Sequence, residues 1–160
     1  MQNILIIISR KGGNTEKLAR AVLKGTKTIT GINARLKEVR EVTEEDLLEA
    51  KGIIIGSPVY FGSMSFELKE FIDRTYPLRG KLKDKIGAAF ATSDDPLGGK
   101  ETTILSIILA MLIHQMIIVG EPLEAGGYYG ASSVGDPDKK EISVAVSLGK
   151  RVAQIVKNMF

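Results

Sequence analysis

Short apolar segments alternate along this chain with segments in which apolar residues recur every three or four positions. Residues 3–9 (NILIIIS) are apolar on both sides, which is typical of a strand buried on both faces. Residues 32–39 alternate apolar and polar side chains, which is typical of an edge strand. Together with three further apolar segments, the pattern predicts five strands. They span residues 3–9, 32–39, 52–57, 86–93 and 117–119.

The segments between these strands carry helical spacing and helix-start signals. Apolar residues recur at helical spacing over residues 15–31. Thr43 and Ser65 are hydroxyl residues that favour the N-cap of a helix. The pair Asp136-Pro137 predicts an N-cap followed by the first helical residue. Helices are therefore expected between the strands and after the last one.

This alternation predicts an α/β fold: a three-layer, doubly wound, five-stranded parallel sheet in the order 2-1-3-4-5, formed by residues 1–160 as a single domain. In this order the winding reverses between strands 1 and 3, and ligands bind at the carboxyl ends of those strands. Three segments then converge, namely a first loop (residues 9–15), a second loop (57–65) and a third loop (92–100). We expect the binding chemistry of the protein in these loops.

The composition narrows the chemistry available to the loops. The 160 residues include no Cys and one His, which excludes thiol nucleophiles, iron–sulfur clusters and zinc sites built from Cys or several His. The net charge of +3 gives no reason to expect a nucleic-acid partner. The apolar stretch 104–119 is shorter than the ~20 residues that a membrane span needs. We therefore expect a cytoplasmic protein without a metal site.

The first loop combines two glycines with polar side chains. Gly12 and Gly13 allow the backbone to approach a ligand closely, and the helix start that follows offers free N–H groups and the positive end of its dipole. Ser9, Asn14 and Thr15 add side-chain donors. This combination suits a phosphate monoester. An ordinary strand–helix turn capped by Asn14 or Thr15 explains the same residues equally well.

The second loop carries an aromatic pair and the third loop a pair of glycines. Tyr60 and Phe61 at a strand end can form an apolar wall against a planar ring, although aromatic residues more often cover the core. The third loop, TSDDPLGGK, offers hydroxyl groups and flexible backbone for the other side of such a ring. Its acids Asp94 and Asp95 are conceivable magnesium ligands, but solvated turn residues are the commoner case.

Five segments resemble one family, in a consistent order and over nearly the whole chain. They are SRKGGNT, GSPVYFGSMS, TSDDPLGGKETT, the apolar helix that ends at His114, and GGYYGAS. Together they resemble the flavodoxin-like fold and, within it, the WrbA-type NAD(P)H:quinone oxidoreductases and the NADPH-dependent FMN reductase family. The resemblance implies non-covalent FMN, NAD(P)H as electron donor, a quinone or similar acceptor, and a homodimer or homotetramer.

The resemblance also implies which residues contact FMN, with the phosphate in the first loop and the ring between the second and third loops. His114 matches a histidine that, in the oligomer, can reach the flavin of a neighbouring subunit, and Tyr129 matches a tyrosine near that site. No side chain is implied as an obligatory general base. The implied FMN contacts are Ser9, Lys11, Gly13, Asn14, Thr15, Pro58, Val59, Tyr60, Phe61, Gly62, Thr92, Ser93, Asp94, Gly98, Gly99 and His114.

The chain departs from the family pattern in two places. The family usually has Arg at the position of Tyr60, and a Trp before the fourth strand, whereas this chain has no Trp. The leading hypothesis is an FMN-dependent oxidoreductase that passes electrons from NAD(P)H to a quinone by two-electron hydride transfer. A flavodoxin-type one-electron carrier is the alternative, but flavodoxins are strongly acidic and this chain has a pI of about 9.1. A non-catalytic binding module with the same fold is a third candidate.

Overall fold

The computed structural model describes residues 1–160, which form seven strands and five α-helices. The strands are β1 (Gln2–Ile8), β2 (Ile32–Glu38), β3 (Gly52–Tyr60), β4 (Ser63–Met64), β5 (Ile86–Ser93), β6 (Ile117–Ile118) and β7 (Ala131–Val134). The helices are α1 (Gly13–Thr26), α2 (Glu44–Glu49), α3 (Phe66–Arg74), α4 (Lys100–Ile113) and α5 (Lys139–Met159). None of these helices combines the length and the apolar character that crossing a membrane requires.

The sheet is parallel apart from one short hairpin, and its winding reverses between β1 and β3 as predicted. The order is β2-β1-β3-β5-β6, and β7 also pairs with β5. β6 pairs with the first two residues of β5, and β7 pairs with the last four, so the two short strands share the fifth position of the sheet. β4 forms an antiparallel hairpin with the end of β3. The doubly wound α/β sheet is confirmed, whereas the expected count of five strands differs from the seven observed.

The fifth strand is interrupted because the chain turns away after Val119. Gly120 lies against the backbone of Tyr128, where an added Cβ would come within 2.5 Å of the Tyr128 carbonyl oxygen. Pro122 follows and has no N–H with which to continue the ladder. The chain returns to the sheet as β7, whose Ser132 and Ser133 lack the apolar pattern that predicts a buried strand. We call residues 119–130 the excursion.

Helices cover both faces of the sheet and create two separate cores. α1 and α5 pack on the face to which Ile4, Ile6 and Ile8 of β1 contribute. α3 and α4 pack on the other face, to which Leu5 and Ile7 contribute. Because both faces of β1 are covered, every central position of this strand is buried, and this explains the uninterrupted apolar run.

Two of the three predicted helix starts are confirmed. The Thr43 hydroxyl accepts a hydrogen bond from the amide of the third residue of α2 at 3.2 Å, and the Ser65 hydroxyl accepts one from the third residue of α3 at 3.4 Å. Both are the side-chain caps that these residue types favour.

The predicted start of the last helix is wrong by two residues. The N-cap is Asp138, whose carboxylate accepts the Glu141 amide at 2.8 Å while the Glu141 carboxylate accepts the Asp138 amide at 2.9 Å. This reciprocal pairing satisfies two backbone donors at once. Asp136 instead forms an ion pair with Lys17 of α1, with 2.6 Å between Nζ and Oδ1.

Candidate functional site

The three loops meet at the carboxyl ends of β1, β3 and β5, as the sheet order requires. Between them lies a cavity of about 230 Å³, which we call the three-loop cavity. All three loops contribute to its wall, which confirms their predicted convergence. The lining residues are Ser9, Arg10, Gly12, Gly13, Asn14, Thr15, Pro58, Val59, Tyr60, Thr92, Ser93 and Asp94.

The first loop leaves open space next to its backbone. Gly12 and Gly13 have φ values of +95° and +68°, a region that favours glycine. No atom lies within 4 Å of the position that a Cβ would take at either residue. α1 begins at Gly13, so the free amides of its first turn and the positive end of its dipole lie at this opening. The geometry is that of an anion-binding helix start.

The two basic residues of the first loop have different surroundings. Arg10 lines the three-loop cavity, and its Nη2 donates a hydrogen bond to the Tyr60 hydroxyl at 3.0 Å. Lys11 does not line the cavity; its Nζ is paired with Glu41 Oε1 at 2.6 Å, and this hydrogen bond raises the pKa of the Lys11 ammonium. The structure therefore does not bring the Lys11 side chain to the site. Sequence reasoning missed Arg10, although it immediately follows the end residue of the predicted strand.

Two carboxylates hold the backbone of the first loop in place. The Glu38 carboxylate, buried at the end of β2, accepts hydrogen bonds from the Lys11 amide and from Arg40 Nε. The Glu16 carboxylate accepts the Gly12 amide at 2.6 Å. The pKa of Glu38 is lowered, chiefly by the hydrogen bond from Arg40, and the pKa of Glu16 is lowered, chiefly by the Gly12 amide. These two amides are therefore occupied, and the amides that follow in the first turn of α1 are left for a ligand.

The second loop supplies the apolar part of the wall. Pro58, Val59 and Tyr60 line the cavity, and the Tyr60 side chain is about half exposed at its mouth. Phe61 has a φ of +49° and is fully exposed outside the lining. Gly62 has a φ of +73° with no atom within 4 Å of its Cβ position. A ligand that extends beyond the cavity toward the hairpin tip would meet Gly62 and Phe61.

The third loop contributes polar groups and contacts the second loop. The hydroxyl oxygens of Thr92 and Thr15 lie 2.7 Å apart, so these two buried side chains satisfy each other. The Ser93 hydroxyl donates to the Asp95 carbonyl at 2.7 Å. Asp94 lines the cavity. No cluster of three or more His, Asp or Glu side chains is arranged to hold a metal ion.

The glycine pair of the third loop is not part of the cavity lining. Gly98 and Gly99 do not line the three-loop cavity. A Cβ on Gly99 would come within 2.7 Å of Gly62 Cα, and the Thr102 hydroxyl donates to the Gly62 carbonyl at 2.6 Å. The second and third loops are thereby held against each other at the start of α4.

His114 lies away from the three loops. It follows the last residue of α4, and α4 begins at Lys100 and runs for 14 residues, or about 21 Å. His114 Nε2 lies 2.8 Å from the Thr75 hydroxyl, and its Nδ1 is buried without a hydrogen-bond partner. Burial lowers the pKa of the imidazole, and the charge of Arg79 lowers it further. Within one chain this residue does not join the three-loop cavity.

Tyr129 lines a different cavity. This second cavity, of about 560 Å³, opens beside β7 at the free edge of the sheet, and we call it the edge cavity. Its wall is formed by the excursion, β7 and the first residues of α4 and α5. Only the family resemblance marked the GGYYGAS segment as functional. The edge cavity itself could not be predicted from the sequence, because its wall combines segments that are far apart along the chain.

Comparison with known proteins assigns the chain to a family. A sequence profile described as NADPH-dependent FMN reductase matches residues 3–128. The chain belongs to this family. An NAD(P)H dehydrogenase (quinone) from Archaeoglobus fulgidus is 39% identical over 190 aligned positions, which cover 99% of this chain and 100% of that protein. A flavodoxin from Aquifex aeolicus is 35% identical over 162 positions, covering 98% of this chain and 88% of that protein.

A solved structure supports the same fold. The flavodoxin, WrbA-like protein from Agrobacterium tumefaciens aligns over 100% of both chains with a TM-score of 0.86 and 24% sequence identity. Family membership makes the protein a flavoprotein oxidoreductase that uses FMN, with NAD(P)H as the electron donor.

Proposed function

We propose that residues 1–160 form one FMN-binding domain that transfers electrons from NAD(P)H to a quinone as a two-electron hydride step. The observation that carries this proposal is the convergence of three loops on one cavity, with open glycine backbone at the start of α1 and an aromatic side chain at the mouth. Bound FMN supplies the electron transfer itself, and the protein binds and orients the reactants.

The first loop matches the phosphate of FMN. A phosphate monoester dianion requires several donors and positive charge, and the free amides at the start of α1 with the side chains of Ser9 and Asn14 supply the donors. The Arg10 guanidinium supplies a full positive charge at the cavity. The open space beside Gly12 and Gly13 is the space that a phosphate would occupy.

The second and third loops match the two sides of a planar ring. Val59 and Tyr60 offer an apolar side, and residues 92–94 offer a polar side across the cavity. Gly62 presents open backbone at the hairpin tip, where its amide can donate to a polar ring edge. The exposed rings of Tyr60 and Phe61 leave room for a second planar molecule, such as a quinone, to approach at the mouth.

A one-electron carrier is the second candidate, because the flavodoxin of Aquifex aeolicus is similar over nearly the whole chain. Turnover separates the two functions. We expect the FMN-loaded protein to oxidise NADPH with 1,4-benzoquinone as sole acceptor and no other protein present. A protein that binds FMN but reduces benzoquinone only after a separate reductase is added would be a carrier, and the proposed activity would be wrong.

We also propose that the protein forms a homodimer or homotetramer through α4. Leu105, Leu109, Leu112 and Ile113 of this helix are 38–62% exposed. Their spacing of four, three and one residues places them on one face of the helix. A contiguous exposed apolar face of this kind marks an interaction surface. His114 lies at the end of the same helix, so the same contact would bring it to the surface of a neighbouring copy.

A further inference from the structure

Three buried hydroxyl residues occupy neighbouring elements at the three-loop cavity. They are Thr15 in the first turn of α1, Thr92 near the end of β5 and Ser133 in β7. Their exposed fractions are 6%, 5% and 0%. Thr15 and Thr92 line the cavity, whereas Ser133 lies outside its lining. Ser133 therefore has no direct access to a ligand in the cavity.

The pairing of β5 with β7 places Ser133 next to Thr92. The two strands are parallel, and Thr92 and Ser133 are partners in their register. Two residues earlier, the partners Phe90 and Ala131 both belong to the core that α1 and α5 cover. Because side chains alternate along a strand, Thr92 and Ser133 point to this same face, on strands that are about 4.8 Å apart. α1 lies on this face, and its Thr15 contacts Thr92 there.

The hydrogen bonds of these three hydroxyls are incomplete within the chain. The oxygens of Thr15 and Thr92 lie 2.7 Å apart, so one hydroxyl donates to the other. Neither side chain forms a further hydrogen bond, so the accepting hydroxyl keeps a proton that no group of the chain accepts. Ser133 Oγ is buried and has no hydrogen-bond partner. Buried polar groups are normally paired, so the orphaned Ser133 hydroxyl requires an explanation.

An anion in the first loop would give these hydrogen bonds one direction. A hydrogen bond to a charged acceptor is roughly twice as strong as one between neutral groups. The Thr15 proton is therefore best placed on a phosphate in the loop, which leaves the Thr15 oxygen to accept from Thr92. The Thr92 oxygen then has a free lone pair, and the neighbouring hydroxyl that can donate to it is that of Ser133.

We propose that Ser133 is a positioning residue for the phosphate of FMN. Its hydroxyl turns about χ1 to donate to Thr92, Thr92 donates to Thr15, and Thr15 donates to the phosphate. We call these three groups the hydroxyl relay. Its three hydrogen bonds run in the same direction, so each polarises the next. This inference rests on the proposed function, because the relay requires the phosphate in the first loop.

Fluorescence titration of the FMN-free protein with FMN and with riboflavin tests the hydroxyl relay. Loss of one hydrogen bond of this kind corresponds to a few-fold change, so Ser133→Ala should weaken FMN binding about threefold. Thr92→Val removes the middle hydroxyl and should weaken FMN binding about tenfold, since it breaks two hydrogen bonds. Riboflavin has no phosphate, and its affinity should stay nearly constant in both variants.

Ser132→Ala is the matched control. Ser132 precedes Ser133 in β7, but it is the register partner of Ala91 and therefore points to the opposite face of the sheet. It lines the edge cavity and not the three-loop cavity. Ser132→Ala should leave the affinities for both flavins unchanged.

Two further measurements separate a positioning role from a merely structural one. In the Thr92→Val background, Ser133→Ala should cause no additional loss of FMN affinity, because Ser133 acts through Thr92. In denaturant unfolding, the FMN-free Ser133→Ala protein should be at least as stable as the wild type, because the change removes a buried hydroxyl that has no partner. A structural role would instead lower the stability and weaken the binding of both flavins equally.

The outcomes distinguish failure of the hydroxyl relay from failure of the proposed function. Unchanged FMN affinity in Ser133→Ala, an equal loss of riboflavin affinity, or additive losses in the double variant would overturn the relay alone. A wild-type protein that binds FMN no more tightly than riboflavin would contradict the proposed phosphate site and the relay together.

Discussion

Neighbouring residues of the first loop have opposite roles although their chemistry is similar. Arg10 lines the three-loop cavity and contacts Tyr60, whereas Lys11 is paired with Glu41, three residues after the end of β2. The resemblance implied Lys11, and not Arg10, among the FMN contacts. The direction of the Lys11 side chain depends on Glu41, which lies 30 residues away along the chain and comes close because β2 pairs with β1.

Substituting Arg10 and Lys11 separately by glutamine distinguishes their roles. Arg10→Gln should weaken FMN binding about tenfold, because a hydrogen bond to a charged group contributes roughly 1.5–3 kcal/mol and the exposed Arg10 belongs at the lower end of that range. Lys11→Gln should change FMN affinity less than twofold. Fluorescence titration with FMN and with riboflavin measures both. Riboflavin has no phosphate, so an equal loss of riboflavin affinity in Arg10→Gln would show that the guanidinium does not act on the phosphate.

His114 is the only histidine, which makes its titration visible in the stability of the protein. Thr75 donates its hydroxyl proton to the Ile72 carbonyl at 2.6 Å, so its oxygen accepts from His114 Nε2 and Nδ1 is left unprotonated. The pKa of the buried imidazole is lowered, chiefly by desolvation. The unfolded chain therefore binds this proton more readily than the folded protein.

The free energy of unfolding should consequently fall as the pH drops below about 6.5, the ordinary histidine value, toward the lower pKa of the folded state. Denaturant unfolding of the wild type and of His114→Leu between pH 5 and 7.5 tests this. The free energy of unfolding of His114→Leu, relative to that of the wild type, should increase toward pH 5. A difference that is constant over this range would mean that His114 has the same pKa in both states.

At the scale of elements, α1 and α5 pack unusually closely on one face of the sheet. A Cβ on Gly149 would lie 2.1 Å from the Val22 carbonyl oxygen, and a Cβ on Gly25 would lie 2.0 Å from the Val146 carbonyl oxygen. The two glycines thus let the helix backbones touch at reciprocal positions. The contact lies near the C-terminal end of α1, at the opposite end of this helix from the first loop.

Gly149→Ala tests the close contact. Alanine gains about 1 kcal/mol of helix propensity over glycine, but overpacking costs about 1–3 kcal/mol, and backbone atoms cannot turn aside as a side chain can. The clash is with backbone, so the cost lies at the upper end of this range, and we expect a net loss of about 2 kcal/mol, or roughly 4–8 °C in Tm for a chain of this size. Ser143→Ala, at an exposed position of the same helix, should be neutral or slightly stabilising. A Gly149→Ala protein that is more stable than the wild type would show that the helices can separate without cost.

At the scale of the whole molecule, we expect the exposed apolar face of α4 to determine the oligomeric state. An isolated chain would leave Leu109 and Ile113 62% exposed each, next to two further apolar side chains. Leu109→Glu should convert the oligomer to a monomer in sedimentation velocity, because association would bury a charge in an apolar contact. Leu123→Glu, a change at an 85% exposed leucine in the excursion, is the control and should leave the mass unchanged. A wild-type protein that sediments as a monomer at every concentration would exclude the proposed interface.

Local sequence patterns predicted most of the fold and the position of the three-loop cavity. The apolar runs of β1, β3 and β5 and the caps Thr43 and Ser65 follow from burial on two faces and from local hydrogen bonding, and all are confirmed. The order of the strands placed the three loops together, since parallel strands present their carboxyl ends on one edge. The amino-acid sequence by itself thus determined the α/β architecture and the position of the three-loop cavity.

The tertiary structure alone decided features that depend on residues far apart in the chain. It divided the fifth strand into β6 and β7, directed Arg10 rather than Lys11 to the cavity, and packed His114 against Thr75 outside the cavity. It also assembled the edge cavity from α4, the excursion and α5. Each of these depends on packing and charge pairing between segments that have no local pattern in common, because side-chain partners and cavities form only when the chain has brought its elements together.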